Sequence, residues 1–121
     1  MWKYFRLSEF ACPCCGQHPM DTRLIDLLDA ARQVAGVAFK ITSGFRCVKH
    51  NIEIGGGAKS SHTLGLAADI ACTDSVSRHA ILKAVFQVGF NRIEVADRHI
   101  HVDIAETAIG FPAICWLGVS K

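Results

Sequence analysis

No stretch of the chain approaches the roughly 20 consecutive apolar residues that a helix needs to cross a bilayer, so a helical membrane protein is excluded. The start, MWKYFRLSEFACPCC, also lacks the continuous apolar segment of a signal peptide, and synthesis in the cytoplasm is expected. A basic stripe is missing too. The 13 Lys and Arg residues are scattered and the net charge is only +2, so no phosphate-tracking surface is expected and nucleic acid is not an expected partner. Internal repeats and low-complexity tracts are absent. What is present is 121 residues, 50% of them hydrophobic, enough to bury one core, and the chain reads as a single domain over residues 1–121.

Local patterns place the elements. Pro19-Met20-Asp21 announces a helix in which Leu24, Ile25, Leu27, Leu28, Ala31 and Val34 recur at helical spacing until Gly36. Val37 to Thr42 reads as a short strand, and Cys47 to Gly57 as a loop, because three consecutive glycines suit no regular element. Ala67 to Ala71 reads as a buried strand. Asp74, Ser75 and Ser77 offer caps for a helix from about Ser77 to Val88, ended by Gly89. Arg92 to Val95 and His99 to Ile104 form the strands of a hairpin turning at Ala96-Asp97-Arg98, while the tail from Glu106 to Lys121 shows no clear pattern. The expected fold is α+β, a small and mainly antiparallel sheet flanked by helices.

Six cysteines would suit disulfides, but Cys12, Cys14 and Cys15 crowd together with no export signal. They admit free buried thiols, a disulfide to Cys47, or a structural zinc completed by Cys47 or His18. Read as C-x-C-C, the spacing is not the C-x-x-C pair of a zinc ribbon, which sets the metal behind the other two. Cys72 and Cys115 are expected to be ordinary buried residues, and His18 and His79 surface residues.

The stretch SHTLGLAAD, Ser61 to Asp69, sets His62 and Asp69 seven positions apart. On a continuous helix that spacing separates them by about 10 Å along the axis, too far to share an ion whose donors each sit about 2 Å away. A turn at Gly65 would fold His62 back beside an Asp69 projecting from a strand. In HIHVD, strand alternation sends His99, His101 and Asp103 to one face and Ile100, Val102 and Ile104 to the other. His62, Asp69 and His101 thus form a two-nitrogen, one-oxygen donor set for Zn2+, with a fourth position for water, as in catalytic sites.

SGFRC (Ser43 to Cys47), HNIEIGG (His50 to Gly56), SSHTLGLAADI (Ser60 to Ile70) and HVD (His101 to Asp103), in that order, resemble the M15 family of zinc peptidases. That family includes D-alanyl-D-alanine carboxypeptidases and the L-alanyl-D-glutamate endopeptidases used as phage endolysins. The resemblance implies the small α+β fold shared with hedgehog-type signalling domains, and His62, Asp69 and His101 as metal ligands. It also implies hydrolysis of a peptide bond in the stem peptides of bacterial peptidoglycan, by a chain acting at the cell wall and encoded by a bacterium, phage or prophage. Arg46 matches the family arginine that meets the substrate. Several relatives carry a Glu three residues ahead of the last histidine ligand, where this chain has Arg98. Others have an H-x-H pair, which His99 and His101 reproduce, so His99 is the expected base, with Glu94 and Asp97 as alternatives. Asp103 is expected to orient a ligand histidine from behind, and Ser61 to hydrogen-bond near the site without acting as a nucleophile. Arg46 has a structural alternative, holding its loop through carbonyl hydrogen bonds; His50-Asn51 and Gly55 to Gly57 have one too, shaping the loop over the site. The missing Glu leaves a second function open, a non-catalytic zinc-containing module that binds peptidoglycan. An adaptor built on the cysteine cluster is weaker, for want of a basic, aromatic surface. Oligomeric state is not legible.

Overall fold

A computed structural model describes residues 2–57 and 60–118. Met1, the Ala58-Lys59 pair and the last three residues of the tail lie outside the described residues. Helix α1 (Thr22–Ala35) starts where the Asp21 side chain accepts the backbone N–H of Arg23 and stops at Gly36 in the left-handed conformation. Strand β1 (Ile41–Ser43) follows, shorter than Val37 to Thr42. Helix α3 (Ser75–Val88) begins two residues earlier than expected, because the Asp74 carboxylate caps the N–H of Ser77. Strands β2 (Ala67–Ala71), β3 (Arg92–Val95) and β4 (His99–Asp103) match the expected segments closely.

One element contradicts the sequence reading, and two more fill the tail that it left unassigned. The expected loop from Cys47 contains a six-residue helix, α2 (Val48–Glu53), capped by the Cys47 sulfur accepting the N–H of His50. The tail supplies α4 (Ala105–Ile109) and β5 (Ile114–Leu117). Strand β5 runs parallel to β3 at the sheet edge and leaves Cys115 exposed, whereas Cys72 is buried as expected. His18 and His79 are exposed, as expected.

The sheet order is β1-β2-β4-β3-β5, antiparallel except for the last pair. Alternation divides its faces. Ala68 and Ile70 of β2, Ile93 of β3 and Ile100 and Val102 of β4 are fully buried and share one core with Leu24, Ile25 and Leu28 of α1 and Ile81 and Val85 of α3. Burying aliphatic side chains of this size stabilises by about 1.5–3 kcal/mol each, which holds the strands in one register. Among the described residues no helix is long and apolar enough to cross a membrane.

Candidate metal centre and cleft

Fixing the apolar face in register fixes the opposite face. Cα partners run Ser43–Asp69 between β1 and β2, Asp69–His101 between β2 and β4, Glu94–His101 between β4 and β3, and Glu94–Trp116 between β3 and β5. Five strands thus present one row of polar and aromatic side chains, with Asp69, His101 and Glu94 at its middle. His62 arrives from the 3-10 turn Ser61–Leu64, which Gly65 ends at φ 70°. That backbone favours glycine, and an added Cβ there would also collide with the Pro19 carbonyl. The turn brings His62 Nε2 to 3.3 Å from Asp69 Oδ1, while His101 Nδ1 lies 2.9 Å from the same oxygen.

The outer contacts decide which ring nitrogens face inward. His62 Nδ1 is 2.8 Å from the Gly44 carbonyl, an acceptor only, so Nδ1 carries the hydrogen and Nε2 keeps its lone pair. Burial holds His62 below the usual histidine range despite the neighbouring Asp69, so the ring is neutral. A lone pair therefore faces a carboxylate oxygen, two acceptors with nothing to share unless a cation lies between them. Two donors about 2 Å from a tetrahedral ion stand about 3.3 Å apart, which the His62–Asp69 separation of 3.3 Å matches. His101 Nε2 meets Asp103 Oδ2 at 2.7 Å. Asp103 Oδ1 in turn accepts from Arg92 Nε at 2.7 Å and from the Ala105 N–H at 3.0 Å. The buried carboxylate thus holds Nε2–H and frees Nδ1 as the inward donor. Ligand atoms of His62, Asp69 and His101 all lie within 4.8 Å of one another.

Without an ion, the charges rearrange in a consistent way. Burial disfavours a charged His101, but the hydrogen bonds it donates to Asp103 and Asp69 outweigh it and push the ring up to about 9. For Asp69 burial acts upward, and the hydrogen bond from His101 leads the interactions that overcome it, holding the carboxyl well below its ordinary range. Asp103 is lowered in the same way, burial being outweighed by His101.

A cleft of about 680 Å³ opens over this row, within the size range of ligand sites. Arg46 lines it, with Nε 3.0 Å from Ser43 Oγ, one terminal nitrogen 3.4 Å from Asn51 Oδ1 and the other 3.3 Å from Asp69 Oδ2. Among the described residues these hydrogen bonds go to side chains, whereas the structural alternative has loop carbonyls as the acceptors. His99 Nε2 lies 2.9 Å from Glu94 Oε1, and Glu94 Oε2 accepts from Trp116 Nε1 at 3.1 Å. Both members of that pair line the cleft. Ser61 lines it as well and is buried. Asp97 sits exposed in the β3–β4 turn, away from the lining. Asn51, buried in α2, donates to the Gly57 carbonyl at 3.0 Å, giving HNIEIGG a loop-shaping task. Sequence reading missed Arg92, Phe111 and Trp116. Arg92 also donates to the Pro112 carbonyl at 2.7 Å and lies over both aromatic rings, and all three side chains line the cleft. The alternation of Arg92 with Glu94 was a usable signal, whereas the tail offered none.

In comparison with known proteins, the family model described as Peptidase M15 matches residues 3–103. No curated protein matches the chain.

Proposed function

Because the chain belongs to the peptidase M15 family of metallopeptidases, we propose that it is a zinc-dependent hydrolase cleaving a peptide bond in the stem peptides of bacterial cell-wall peptidoglycan. The observation that carries this reading is the pairing of His62 Nε2 with Asp69 Oδ1, two acceptors at a cation's spacing, with His101 Nδ1 beside them. His62, Asp69 and His101 would hold the ion, and zinc bound there would supply electrophilic assistance to a carbonyl and acidify a nearby water.

The chain's own residues then divide the remaining work. His99, with Nε2 held by the Glu94 carboxylate, takes the proton of the attacking water and returns it to the leaving amine. Glu94 orients the ring and stabilises its charged form, and Trp116 keeps Glu94 in place from the other side. This assigns the base to a pair in which His99 moves the proton, and it answers the missing Glu at Arg98. Arg46 has N–H groups beyond the three that meet Ser43, Asn51 and Asp69, and binds a carboxylate of the stem peptide or the charge developing on the carbonyl oxygen. Gly44 and Asp103 hold the two histidines from behind.

The test incubates zinc-loaded protein with purified peptidoglycan of several chemotypes and follows new amino groups. Release by the native chain, lost in His99→Ala and reduced in Glu94→Gln with zinc still bound, is the expected result. No release from any chemotype by a fully loaded protein would replace catalysis with the binding-module reading.

A further inference from the structure

Three sulfur atoms outside the cleft also converge. Those of Cys12, Cys15 and Cys47 lie within 4.8 Å of one another, with Cys12 buried and Cys15 exposed. All the cysteines are free thiols. Backbone amides point at two of the three sulfurs. Cys12 accepts from the N–H of Cys47 at 3.5 Å. Cys47 accepts from that of His50 at 3.4 Å. The segment turns back tightly, Gly16 N–H bonding the Cys12 carbonyl at 2.7 Å and Cys12 N–H the Gln17 carbonyl at 2.8 Å. Amide donors aimed at sulfur stabilise the thiolate, the form that binds metal. Counted on Cys12 and Cys15 alone, the spacing is C-x-x-C followed by glycine, the ligand pair of a zinc knuckle; Cys14 is the insertion that hid it. His18 is exposed and stands outside the group.

We propose that Cys12, Cys15 and Cys47 bind a second, structural zinc ion, independent of the ion at His62, Asp69 and His101. Cys14 is exposed and, like His18, stands outside the group. The ion clips together positions 35 apart in sequence, and closing so long a loop is where a metal cross-link constrains the unfolded chain most. Its place gives it a task. Cys47 follows Arg46 directly, and Phe10, two residues before Cys12, accepts the Phe45 N–H at 2.8 Å. The clip therefore fixes the segment that carries the Gly44 carbonyl and Arg46, both of which touch the first site.

The test is cobalt and zinc titration of the reduced full-length protein, with His62→Ala, Cys12→Ser and Cys47→Ser alongside. Serine at position 47 keeps a cap for α2, so that variant guards against simple misfolding at Cys12. The native chain should take one ion at each site and show the sulfur-to-cobalt charge-transfer absorption. His62→Ala should keep that absorption and lose one ion; either serine variant should lose the absorption and keep the ion at the first site. Lack of the absorption in the native protein, or a single ion per chain that Cys12→Ser leaves in place, would overturn the proposal. So would a disulfide that re-forms within this group while reduced protein shows no sulfur-bound cobalt.

Discussion

Replacing Asp103 by Asn tests how the site chooses its donor atoms. The carboxylate is 2% exposed and serves two sides, His101 Nε2 through Oδ2 and Arg92 with the Ala105 amide through Oδ1. Asparagine has nearly the same shape but a single acceptor oxygen. That oxygen stays with Arg92 and Ala105, since a buried guanidinium left without its partner costs about 3–5 kcal/mol. The amide NH2 then faces His101 Nε2 and donates to it, so the hydrogen of a neutral ring moves to Nδ1, the atom needed inside. Loss of such outer support lowers metal affinity about 10–100-fold, about 1.4–2.8 kcal/mol. The assay is zinc competition against a chromophoric chelator in a Cys12→Ser background, which removes the thiol cluster from the measurement. A folded Asp103→Asn protein binding zinc as tightly as its parent would refute the reasoning.

Other expectations follow from the same contacts. A Cβ at Gly44 would lie 2.6 Å from the Phe10 Cα, so Gly44→Ala must displace the carbonyl that holds His62; denaturant melts should lose about 1–3 kcal/mol and zinc affinity should fall with them. Ile81→Ala, at 1% exposure in the core between α3 and the sheet, should cost about 2–5 kcal/mol of stability in the same melts while zinc affinity in the folded protein stays unchanged. In the metal-free protein His101 is pushed up to about 9 from an unfolded value of about 6.5. The stability it contributes is complete below about pH 6.5 and disappears as pH rises through about 9, so melting points in chelator should fall over that window. Zinc competes with that proton, so in calorimetry its binding should release protons near neutral pH.

How much of this was legible depended on whether local chemistry set the outcome. Asp21 with Gly36 and Asp74 with Gly89 bracket α1 and α3 because caps act within one turn. The alternation of HIHVD divided core from site because the strand period is two residues. Helix α2 was not legible: Val48 and Ile52 are both exposed, so no apolar stripe marks it, and its start depends on a cysteine sulfur in the capping role. Strand β5 was hidden because its residues are largely exposed and its pairing is parallel to β3, more than a dozen positions earlier in the chain. The convergence of the three motif residues His62, Asp69 and His101 was readable from their spacing and strand alternation. Their supports, Gly44 and Arg92, come from contacts distant in sequence that no spacing encodes.

The account turns on a cation lying between one oxygen and two nitrogens with a side left open to the cleft. An anomalous-scattering map from crystals grown with zinc tests that directly. It should show density bonded to His62 Nε2, Asp69 Oδ1 and His101 Nδ1, with solvent on the side nearest Glu94 and His99. No peak among those atoms, or a fourth protein side chain closing the open side, would contradict it.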